Sequence, residues 1–170
     1  MAIFIALLRG INVGGTGLLP MKDLAALCDG QGFANVRTYI QSGNVLFECK
    51  LSEEQASRKL EKALAAKMSK PISVMLRTQA ELRAILDANP FPDKEPAKVA
   101  VAFLAGPVPK ETLRNLVAPD GELVRPGKRE IYVYYPDGMG RSKLKLPMGG
   151  APATVRNINT VAKLVALAEG

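Results

Sequence analysis

Histidine is missing from this chain, and so is tryptophan. Without histidine there is no Ser-His-Asp or Cys-His nucleophile pair and no imidazole general base. The usual zinc site goes too, because two cysteines alone, Cys28 and Cys49, cannot close a structural zinc centre. Two cysteines are also too few for a disulfide framework. They read as reduced core thiols, Cys28 on the apolar face of a helix and Cys49 at the end of a strand. No apolar run approaches the ~20 residues of a membrane span, and no signal-peptide pattern opens the chain. A cytoplasmic protein without a membrane partner is expected. Any catalysis would fall to a carboxylate, a lysine, a tyrosine or a bound metal; no metal-binding motif is recognised in the sequence, and no cofactor is implied.

What is present is a core-forming chain of 170 residues, 48% hydrophobic, with 15 glycines and 12 prolines. Residues 2–8 form a continuous apolar run, the pattern of a strand buried on both faces. Pro20 suits the first turn of a helix that buries Met21, Leu24, Leu27 and Cys28. Residues 36–40 and 45–49 read as two strands joined by Gln41-Ser42-Gly43-Asn44. Ser52 with Gln55, and Thr78 with Glu81, form capping boxes for two further helices, with a short strand over 72–76 between them. The first half thus reads β-α-β-β-α-β, followed by a helix, which is the order of a ferredoxin-like plait.

A stiff connector follows at 89–96, with Pro90, Pro92 and Pro96. The pattern then restarts: a strand over 99–104, a helix from Pro109, a hairpin of 122–125 and 130–135, an irregular stretch over 137–153, and a last helix over 157–168. No final strand is evident, which suggests a sheet shared between the halves or an exchanged strand. The expected fold is α+β. Two pseudo-repeated plait-like halves, 1–88 and 97–170, carry mixed or antiparallel sheets with helices on one face.

The first strand-to-helix connection, 9–19, is longer than such links need. It carries glycines at 10, 14, 15 and 17. The corresponding loop of the second half, 105–108, is short, so the fold does not require the extra length. Glycine lets successive N–H groups converge on one concavity, and a helix N-terminus beside it favours an anion. Arg9, Asn12, Gly14 and Gly15 would form the cradle, with Ser42 or Asn44 facing it. The other reading is a surface loop whose glycines only turn the chain.

The net charge of +7 is uneven, since seven bases and two acids fall between Arg125 and Arg156. Arg141, Lys143 and Arg156 could bring charge to the same anion. Arg156 and Asn157 open the last helix, where Asn157 also reads as an ordinary cap. Alternatively, Tyr132 and Tyr134 share one face of a strand beside Arg125, Lys128 and Arg129, where bases could stack; interior packing of these rings is the competing reading.

Three blocks together closely resemble the family called domain of unknown function 1697. They are Arg9-Gly10-Ile11-Asn12-Val13-Gly14-Gly15, Tyr39-Ile40-Gln41-Ser42-Gly43-Asn44-Val45, and Gly140-Arg141-Ser142-Lys143-Leu144 with 154–161. The resemblance implies a cytosolic bacterial-type protein with two plait-like halves and implies no activity. The chain departs from the family at Ile158, where an aromatic is usual. The leading expectation is a binding protein for a phosphate-bearing small molecule or other anion. Nucleic-acid binding over the tyrosine strand and an enzyme acting on a phosphorylated substrate are the alternatives. A monomer or a homodimer fits the sequence.

Overall fold

The computed structural model describes residues 2–11, 18–39, 43–109, 116, 118–138, 144 and 153–169. The fold is α+β. Its described residues form four α-helices and two four-stranded antiparallel sheets. The chain divides into two compact units, Met1–Leu82 with Leu164–Gly170, and Arg83–Lys163.

The first unit's sheet contains β1 (Ala2–Leu8), β2 (Ala34–Tyr39), β3 (Asn44–Cys49) and β4 (Val74–Thr78), in the order β2-β3-β1-β4. Phe4, Ala6, Leu8, Val45, Phe47, Val74 and Leu76 line one face. Two helices bury their apolar stripes in the same core: α1 (Met21–Gly30) through Leu24 and Cys28, and α2 (Glu53–Met68) through Ala56, Leu60 and Leu64. Helix α2 begins at the expected capping box, with the Ser52 hydroxyl accepting from Gln55 N and the Gln55 side chain accepting from Ser52 N. The Thr78–Glu81 box opens α3 (Gln79–Asp87) in the same way.

Phe47 sits centrally in this core, its ring stacked 4.1 Å from Phe33 and tilted 6.0 Å from Phe4. The opposite face of the sheet carries one row of partners, Arg37–Leu46–Ile5–Arg77, running from edge strand to edge strand. Arg77 is 1% exposed and donates to Leu76 O at 2.8 Å. Arg37 donates to Leu167 O at 2.5 Å, receiving a carbonyl from the last turn of α4 (Ile158–Glu169). That is a favoured place for a cation, since carbonyls at a helix end lack intrahelical donors.

The second unit's sheet contains β5 (Val99–Leu104), β6 (Leu123–Pro126), β7 (Glu130–Tyr134) and β8 (Ala153–Asn157), in the order β6-β7-β5-β8. Ala100, Ala102, Leu104, Val124, Ile131, Val133 and Tyr135 share a core on one face. The row on the other face is Arg125–Tyr132–Val101–Arg156.

Strand β8 corrects the sequence reading, which found no final strand and suggested a shared sheet. It pairs antiparallel with β5 from Ala100↔Asn157 to Leu104↔Ala153, so the second unit completes its own four strands. The last helix accordingly starts at Ile158, one residue later than expected. Most of the helix expected from Pro109, and much of 137–153, fall outside the described residues.

Both cysteines are free and buried. Burial first, and the nearby Asp29 charge second, push the Cys28 thiol up to about 12. Only the thiolate reacts, so Cys28 should resist an aromatic disulfide reagent in the native protein and react promptly in denaturant. Fast labelling under native conditions would contradict this packing.

Candidate functional site

The exit of β1 is pinned from both sides. Leu8 N donates to Gly43 O at 2.9 Å, and Arg9 N donates to Ser73 O at 3.0 Å. The start of the glycine-rich loop therefore lies between the entry to β3 and the entry to β4. Gly10 has φ +72, and a Cβ added there would meet nothing within 4 Å, so its glycine serves the backbone angle. Gly43 serves both angle and space. Its φ is +87, and a Cβ there would meet Leu8 Cβ at 3.0 Å and Ile11 Cβ at 3.4 Å. Two of the blocks singled out in the sequence thus meet at one corner of the first sheet.

Arg9 is exposed at this corner, and its guanidinium pairs with no described residue. Asn44 is fully buried, and its Nδ2 donates to Tyr39 O at 3.0 Å, tying the two ends of the hairpin together. Asn12, Gly14, Gly15 and Ser42 lie outside the described residues, as do Arg141 and Lys143.

In the second unit, Arg156 stands on β8 and not at a helix start. Its Nη1 donates to Thr154 Oγ1 at 2.8 Å and to Val155 O at 3.0 Å. Burial lowers its pKa to about 10, which leaves it cationic at neutral pH. Asn157 ends β8 and its Oδ1 accepts from Asn159 N at 2.8 Å, a capping contact for α4. Its Nδ2 donates to Ala97 O at 3.0 Å. Both residues have work inside the fold.

On the tyrosine strand, Tyr132 is 3% exposed and its hydroxyl donates to Ile85 O at 2.6 Å. Burial, and then the Glu130 charge, push its pKa well above the usual phenol value. A ring so placed has no free face for a base. Tyr134 is half-buried, tilted against Phe91 at 6.2 Å with Lys94 Nζ 5.2 Å from its ring centre. Arg125 donates to Val124 O at 2.8 Å, Arg129 Nη1 donates to Ala105 O at 3.3 Å, and Lys128 is exposed.

Sequence reasoning missed Glu130. This buried carboxylate accepts from the amides of Lys128 (3.2 Å) and Arg129 (3.1 Å), one on each oxygen. The turn is built around it: a Cβ on Gly127 would collide with Glu130 Oε1. The available signal was Pro126-Gly127, four and three residues before an acid at the head of an alternating strand.

Among the described residues, no helix is long and apolar enough to cross a membrane. A family model described as "Protein of unknown function (DUF1697)" matches residues 1–132. Among solved structures, the chain is similar to the conserved bacterial protein SP0830 from Streptococcus pneumoniae. The two are 26% identical, with a TM-score of 0.81 and 98% of each chain covered. No curated protein matches.

Proposed function

The chain belongs to the family of protein of unknown function DUF1697, and from this premise we propose that it binds a phosphate-bearing ligand at the β1–β3 corner of its first sheet. The observation that carries the reading is the convergence there of two positive-φ glycines, Gly10 and Gly43, with an exposed arginine, Arg9, that pairs with no described residue. A guanidinium offers a planar fork of donors suited to phosphate oxygens. At Gly10, where a Cβ would meet nothing within 4 Å, a ligand can approach the backbone closely. By sequence, Asn12, Gly14, Gly15 and Ser42 extend the cradle.

The same reading takes the two sheets as two copies of a ferredoxin-like plait in a cytoplasmic protein. Their matching strand orders and matching rows, each with arginine on both edge strands, support the repeat. The loop of 9–19 is then an elaboration of the first copy. The nucleic-acid alternative draws less support, because the Tyr132 ring is enclosed and its hydroxyl is engaged.

The test is a thermal-shift series with nucleotides, sugar phosphates and inorganic phosphate. A binding compound at ~100 times its dissociation constant should add roughly 2.7 kcal/mol of stability. Arg9→Ala should weaken that compound's binding at least tenfold while leaving the unliganded midpoint unchanged. A full panel without any shift would overturn the reading.

A further inference from the structure

Among the described residues, four strands lie at the outside of the two sheets: β2 and β4 in the first, β6 and β8 in the second. Each carries an arginine at the end of a cross-sheet row, Arg37, Arg77, Arg125 and Arg156 respectively. An outer strand is where a further strand can add, because every second residue turns its N–H and C=O away from the sheet.

The ladder bonds show which residues face out. Gly127 N donates to Glu130 O at 2.7 Å, which marks Gly127 and Glu130 as a hydrogen-bonded pair. Arg125 and Tyr132 lie two residues along the same ladder and are bonded too, so Val124 between them faces out on β6. In the same way, the bond from Leu104 N to Arg129 O turns Ala102 toward β7 and Val101 toward Arg156, leaving Val155 facing out on β8. The bond from Arg9 N to Ser73 O turns Arg77 toward Ile5 and leaves Leu76 facing out on β4.

On all three strands the arginine folds back onto the carbonyl that faces out. Nη1 of Arg125 donates to Val124 O at 2.8 Å, that of Arg156 to Val155 O at 3.0 Å, and that of Arg77 to Leu76 O at 2.8 Å. An added strand would have to displace a charge-assisted hydrogen bond and lie against a group with donors only. Strand β6 has a second guard, since Pro126 is its next outward residue and has no N–H to offer. Strand β2 is built differently. Arg37 donates to Leu167 O, and the edge is interrupted by a register shift between Ala34 and Arg37, with Asn35 at φ +50.

We propose that Arg125 and Arg156 are edge caps: they occupy the outward carbonyls of β6 and β8 and so keep a second copy of this chain from adding its own outer strand to the second sheet. Arg77 makes the same bond on β4, where it is wholly buried. This role is separate from anion binding at the first sheet and stands or falls without it.

The test compares the full chain with Arg125→Met, which keeps a long side chain and removes its donors, and with Arg156→Met. Sedimentation velocity gives mass against concentration, and hydrogen exchange follows the Val124 and Val155 amides. The wild type sediments as one chain at every concentration. Arg125→Met approaches twice that mass as concentration rises, with exchange at Val124 slowed at least tenfold, and Arg156→Met does the same at Val155. Arg125 is exposed, so its variant keeps the wild-type thermal midpoint and decides alone if Arg156→Met fails to fold. Wild-type association that protects either amide overturns the proposal. So does an Arg125→Met variant that stays a single chain, or one that associates without slowing exchange at Val124.

Discussion

Phe47→Ala should lower stability by about 3–5 kcal/mol, the range for truncating a buried aromatic. The ring is 1% exposed and lies opposite Phe4 across the β1–β3 ladder. It stacks on Phe33 nearly parallel, at 7°, and such pairs add about 0.5–1.5 kcal/mol beyond the area they bury. The vacated space cannot easily collapse, because β3 is hydrogen-bonded on both sides, to β2 and to β1. A cavity left in so constrained a place keeps most of its cost. In urea the midpoint should fall with the slope unchanged. Phe47→Leu should recover much of the loss. A change below about 1 kcal/mol for the alanine variant would mean that the helices and sheet of the first unit do not pack around this ring.

Gly43→Ala should cost about 2–5 kcal/mol, from two sources that add. A left-handed backbone costs a residue with a Cβ about 1–2 kcal/mol. At this position the new methyl also meets Leu8 Cβ at 3.0 Å, an overpacking that typically costs about 1–3 kcal/mol. The contact also matters for the site, since Leu8 N is held by Gly43 O. Pushing the turn away from β1 moves the β1 exit and Arg9 with it, so phosphate binding should weaken at least tenfold. Gly10→Ala separates the two sources. Gly10 shares the positive φ, at +72, but has nothing within 4 Å of a Cβ, so its cost should stay near ~1–2 kcal/mol. Equal costs at the two glycines would remove the close approach from the account.

The parts of the fold written as hydrophobic periodicity and capping chemistry were legible in the sequence. The apolar run of β1, the Ser52–Gln55 and Thr78–Glu81 boxes, and the hairpin of β2 and β3 all appear where expected, within two residues. Strand β8 did not declare itself because its pattern is inverted. Thr154 and Arg156 are buried, while Val155 is the exposed residue. Alternation of apolar and polar positions assumes the opposite. Arg77 hid the end of β4 for the same reason, a charged residue at 1% exposure inside a strand placed at 72–76 by its apolar residues.

At the candidate site, composition pointed to Arg9 and the glycines. The sequence also set Ser42 or Asn44 opposite the glycine loop, but the close approach of Gly43 to Leu8 and Ile11 depends on sheet register and was not legible. Nor could it reveal Glu130, whose inward carboxylate is visible only once the hairpin amides have positions. Arg156 and Asn157 were drawn toward a ligand by their place before a helix. Their hydrogen bonds to Thr154, Val155, Ala97 and Asn159 give each an internal role.

A crystal structure determined with the tightest-binding phosphate compound decides whether the β1–β3 corner holds the anion. Phosphate oxygens should lie within ~3 Å of the Arg9 guanidinium and of backbone N–H groups at the Gly10 and Gly43 turns. A compound bound elsewhere, with Arg9 locked onto a carboxylate of its own chain, would contradict that placement.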